Sequence, residues 1–116
     1  MFEKMIQIED ELVTKEVCDF IDVADEACNL YAAKNHDYGD SFSKGMNTIG
    51  SAYGVGRIYD KVNRLITLSK LDSIEETAVS NETIEDTLMD LACYSIMLLS
   101  YRRAKAKERR EDIVME

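Results

Sequence analysis

Apolar residues recur along most of this chain at intervals of three and four, which is the period of an α-helix. Val17, Phe20, Ile21, Ala24, Cys28 and Tyr31 mark the buried stripe of a first helix, expected from about Leu12 to Lys34. Val55, Ile58, Tyr59, Val62, Leu65 and Ile66 mark a second, from about Ser51 to Lys70. Ile84, Leu88, Leu91, Ser95, Leu98 and Tyr101 mark a third, with Asn81 as its N-cap and an end near Arg110. Room is left for a short helix between Ser41 and Ile49. The sequence has no alternating strand pattern, no internal repeat and no linker, and the polar stretch from Asp72 to Ser80 reads as a connection. The pattern predicts an all-α fold: one small bundle over residues 1–116 with three main helices and a short one. An N-terminal extension covers 1–11 and a basic helix end covers 102–116.

The third helix is apolar around much of its girth at LACYSIMLL, more surface than one small protomer covers, so a homo-oligomer is expected. Cys18, Cys28 and Cys93 each fall inside a helical apolar pattern, not in a CxxC or Cys/His cluster, and read as reduced core thiols of a cytoplasmic protein. No apolar run is long enough to span a bilayer, and the first residues lack the charge order of a signal peptide. The formal charge of -9 argues against general nucleic-acid binding by the folded body. Arg102, Arg103, Lys105, Lys107, Arg109 and Arg110 cluster near the C-terminus, as cations placed well against a helix dipole. Asp19, Asp22, Asp25 and Glu26 read as the solvated face of the first helix.

Three stretches carry candidate chemistry. Glu82, Asp86 and Asp90 stand four residues apart on the third helix, and their face continues into Cys93 and Met97, so it points inward. Aspartate is a poor helix-interior residue, and three inward carboxylates stay ionised most readily around a divalent cation. Glu82 also suits the positive end of the helix dipole. In KNHDYGDS, Asn35 or Gly39 supplies the left-handed turn that ends the first helix. Lys34, Asn35, Asp37, Tyr38, Asp40 and Ser41 offer donors, acceptors and an aromatic face there, although a plain turn also selects several of these residue types. His36 reads as an exposed loop residue. In RIYDKVNRL, Arg57, Asp60, Lys61 and Arg64 share one broad helix face, either as a surface ion-pair network or as a clamp for phosphates.

Taken together, YxxKNHDYGDSF, RIYDKVNRL and ETIEDTLMDLACYSIM resemble the nucleotide modification associated domain 1 family, common in phages and bacteria, over about Ala24 to Met97. That family is similar in turn to the all-α nucleoside triphosphate pyrophosphohydrolases of the MazG and dimeric dUTPase group. The resemblance implies a helical oligomer that holds Mg²⁺ on an ExxE pair and a later ExxD pair. Asp90, followed by Leu91 and Ala92, matches the Asp of the ExxD helix. Thr87 stands where that pattern has its Glu, and the second helix carries a single acid, Asp60, in place of an ExxE pair.

The resemblance therefore implies Mg-dependent hydrolysis of a (deoxy)nucleoside triphosphate to monophosphate and pyrophosphate. Asp86 and Asp90 would be catalytic and would hold the metal, with Glu82 or Asp60 completing its shell. Arg57, Lys61 and Arg64 would bind phosphate oxygens, and Asn35, Asp37 and Tyr38 would read sugar or base. Two alternatives stand beside it: a nucleotide-binding module that does not hydrolyse, favoured by the missing ExxE pair, and a small acidic phage protein that engages a host protein through the first helix.

Overall fold

The computed structural model describes residues 7–72 and 78–115; the side chains of 71–72, 78–82 and 114–115 lie outside the description. A 3-10 turn at Asp10–Leu12 leads into α1 (Lys15–Tyr38), α2 (Ser41–Ile49), α3 (Ser51–Asp72) and α4 (Ala78–Met115). No strand occurs among the described residues, so the all-α class holds. No helix among them is long and apolar enough to cross a membrane.

The helix ends differ from the sequence expectation for local reasons. Thr14 caps α1: its backbone is extended and its Oγ1 accepts from the Val17 N–H at 3.2 Å. The helix then runs on through Lys34–Tyr38, because the first residue forced out of helical geometry is Gly39, left-handed at φ 60°. Its N–H donates to the Asn35 carbonyl. Asp40 is left-handed too, at φ 60°, an uncommon conformation for a residue with a Cβ. The Asn35 amide holds it in place by donating to Asp40 Oδ1 at 2.7 Å. Two consecutive left-handed residues thus reverse the chain between α1 and α2. At the other junction Gly50, φ 97°, separates α2 from α3 without a loop. The last helix already includes Ala78, so Asn81 lies inside it and is not its N-cap; no breaker stops it at Arg110. At about 1.5 Å per residue, α4 sets the longest of the molecule's 61 × 42 × 24 Å dimensions.

The core sits where α2, α3 and α4 meet. Phe42 and Met46, one helical turn apart on α2, are buried there. Glycine makes the approach possible: a Cβ on Gly54 of α3 would lie 2.9 Å from Leu98 Cδ1 and 3.0 Å from Met46 Sδ. A Cβ on Gly45 would fall 2.5 Å from the Tyr53 ring. Phe42 packs tilted against Tyr53 and Tyr94, with ring centroids 5.7 and 6.2 Å apart. Helix α1 packs mainly on α4, with Ala27 buried.

The predicted stripes are less covered than expected. Phe20 of α1 is 75% exposed, and Tyr59 of α3 and Leu88 of α4 are exposed as well. Cys18 and Cys28 are exposed free thiols, not core thiols; only Cys93 is partly buried. The physical reason is geometric: α1 packs mainly on α4, so among the described residues much of its stripe is only partly covered. The acidic face of α1 is solvated as expected, with Asp19 paired only to Lys15, at 2.7 Å.

Candidate functional site

The reversal at Gly39–Asp40 brings the end of α1 over α3 and α4, and an open cavity of about 220 Å³ lies beneath it. Its walls are largely aromatic: Tyr31 and Tyr38 from α1, Phe42 from α2, Tyr53 from α3 and Tyr94 from α4. Lys34, Asn35, Ser41, Arg57 and Asp90 supply its polar groups. A second cavity of about 290 Å³ adjoins it, lined by Arg57, Asp60, Lys61, Arg64 and Tyr94. Arg57 and Tyr94 belong to both.

Each cation is positioned. The Arg57 guanidinium lies 5.7 Å from the Tyr53 ring centroid and 5.9 Å from that of Tyr94, so two aromatic faces hold its plane. Its pairing with Asp60 is long, 3.9 Å. Arg64 donates from Nε to Thr87 Oγ1 at 3.2 Å, and Thr87 donates in turn to the Thr83 carbonyl at 2.7 Å. Thr87 is only 2% exposed, so this anchor is shielded from water. Lys61 reaches Asp90 Oδ2 at 3.0 Å, and Lys34 reaches Asp90 Oδ1 at 3.5 Å. One carboxylate on α4 therefore ties α1 and α3 together. One turn on, Cys93 donates through Sγ to the Ala27 carbonyl, and burial, helped by the Asp90 carboxylate, pushes its thiol above the usual cysteine range.

Most of the residues expected from the sequence converge here. Lys34, Asn35, Tyr38 and Ser41 line the aromatic cavity, and Arg57, Lys61 and Arg64 line the cationic one. Asp40 serves the turn through its bond to Asn35. Asp37 is exposed and is not among the lining residues; His36 is exposed as expected, but in the last turn of α1 and not in a loop.

The carboxylates converge only in part. Asp86 and Asp90, one helical turn apart, both line the groove between α1 and α4, Asp60 lies in the cationic cavity, and the Glu82 side chain is outside the described residues. Both Asp90 oxygens already face ammonium groups. Among the described residues no three His, Cys, Asp or Glu side chains gather closely enough to hold a metal ion. The described acids thus offer a pair of carboxylates, Asp86 and Asp90, and not a cluster of three.

Sequence reasoning missed the aromatic walls and Thr87. Tyr53 and Arg57 are four apart, as are Asp90 and Tyr94, so helical adjacency was the available signal.

An aromatic-walled cavity joined to a row of cations can take a planar ring attached to an anionic group. No curated protein and no solved structure matches the chain, which leaves the wider similarity to the MazG and dimeric dUTPase group resting on sequence motifs. The model of one family matches residues 34–100, a span that covers more than half of the chain and contains both motifs that build the two cavities, and on that match the protein belongs to the nucleotide modification associated domain 1 family.

Proposed function

We propose that the protein binds a nucleotide, with the base in the aromatic cavity and the phosphate end along Arg57, Lys61 and Arg64. The observation that supports this reading is the sharing of Arg57 and Tyr94 by the two cavities, with aromatic rings in one and a row of cationic side chains in the other. Asn35, Tyr38 and Ser41 edge the aromatic cavity and suit the polar rim of a base or sugar. Of the two nucleotide readings, binding without hydrolysis has the better support, since both Asp90 oxygens are engaged by lysines and Asp60 is the single acid from Ser51 to Lys70 of α3. A thermal-shift series with (deoxy)nucleotides should raise the melting temperature by several degrees for at least one of them, because a ligand of the folded state stabilises it by mass action. Pyrophosphate release from triphosphates, measured alongside, separates binding from turnover. A flat series with every nucleotide would remove the reading.

We further propose that a second copy of the chain covers the apolar face left open on α1 and α4. Phe20, Val23, Leu88 and Ile96 line one groove between these helices, and the buried apolar core of a single chain, among the described residues, is Ala27, Phe42 and Met46. Sedimentation at physiological salt should give at least twice the 13.2 kDa of one chain; a monomer at high concentration would contradict this.

A further inference from the structure

We infer that the phosphate end of the ligand is held by lysine and arginine alone, without a divalent cation, and that Asp90 is the internal counter-ion the phosphate displaces. This rests on the nucleotide reading above. Asp90 stands at the junction of the two cavities: its own carboxylate lines the aromatic one, and its partner Lys61 lines the cationic one. Each of its oxygens faces an ammonium from a different helix, Lys34 on α1 at 3.5 Å and Lys61 on α3 at 3.0 Å. Magnesium beside a phosphate needs at least one free carboxylate oxygen, and two ammonium groups around the same carboxylate both occupy its oxygens and repel the ion.

The neighbouring acids do not relieve Asp90 of its lysines. Asp60 faces Arg57, and Asp86, which shares the α1–α4 groove with Asp90, forms no described ion pair with either lysine. The charge count points the same way. Lys34, Arg57, Lys61 and Arg64 stand against Asp60 and Asp90, which leaves two positive charges in excess around the joined cavities. A carboxylate between two lysines occupies the place a phosphate would take. With the Asp90 side chain 28% exposed, solvent is within its reach once the lysines change partner.

Exchange of one anion for another makes Asp90 the residue that sets affinity. Its removal frees both lysines for the ligand, whereas removal of a metal ligand would abolish binding. The test is calorimetric titration of the wild-type protein and of Asp90→Asn with the deoxynucleoside monophosphates and triphosphates, in EDTA and in magnesium chloride. The wild type should bind in EDTA at least as tightly as with magnesium. Asp90→Asn should bind about fivefold tighter, the size expected for releasing two partly exposed ion pairs. Binding by the wild type only when magnesium is present overturns the inference and leaves the nucleotide reading standing; so does loss of binding in a folded Asp90→Asn protein. No binding of any nucleotide under either condition overturns both. The comparison of EDTA with magnesium uses the wild type alone, so it decides the matter even if the variant does not fold.

Discussion

Replacing Phe42 with alanine is expected to remove about 3–5 kcal/mol of folding stability. The side chain is 8% exposed and touches the centre of the molecule from α2, against the rings of Tyr53 and Tyr94. Glycine at 45 and 54 lets α2 and α3 approach closely around it, so the backbone has little room to collapse into the space the ring vacates. Natural domains have about 5–15 kcal/mol in total, and few side chains are buried here, so the variant should be largely unfolded at moderate urea. Chemical denaturation followed by circular dichroism measures this. Phe42→Leu keeps most of the volume and should cost less than about 2 kcal/mol. Equal losses for the two variants would show that the aromatic cluster, and not burial, holds the junction.

The second large effect falls on affinity. Arg57→Ala should weaken nucleotide binding about 10- to 100-fold, the equivalent of about 1.5–3 kcal/mol for hydrogen bonds to a charged group. The same change should move folding stability little, because the side chain is 47% exposed and its pairing with Asp60 is long. Arg57→Lys keeps the charge but loses the planar fork that lies against Tyr53 and Tyr94, so it should recover only part of the affinity. Titration calorimetry on the two variants reads both outcomes. An Arg57→Ala protein that binds as the wild type does would place the phosphate elsewhere.

The class of the fold was open to reading because helical periodicity persists wherever a helix has one apolar face. The short helix at Ser41–Ile49 and the span of α3 followed from the same pattern, bounded by Gly39 and Gly50. The end of α1 was harder, since Asn35, His36 and Asp37 are poor helix formers that nonetheless stay helical until Gly39. The cavity-lining residues were legible where a segment was dense in polar groups, as at Lys34 to Ser41 and Arg57 to Arg64. The inward course from Asp90 to Cys93 and Met97 was legible too, and all three line the aromatic cavity. What stayed hidden was the partner of each charge. Nothing in the spacing of Asp90 says that lysines from two other helices close on it, because that is a property of how helices cross. Nor does the sequence show that Thr87, at a position where the ExxD pattern has an acid, is buried under Arg64.

The small core has a consequence for how long the protein lasts in a cell. A ligand at a hundred times its dissociation constant adds about 2.7 kcal/mol to stability. For a chain whose buried apolar centre, among the described residues, is Ala27, Phe42 and Met46, that increment is a large share of the whole. Proteases act on the fraction that is open at any moment, and this fraction falls about a hundredfold when the site fills. Under the proposed nucleotide binding, abundance is then expected to follow the supply of nucleotide: copies accumulate where the pool is high and are cleared where it runs low.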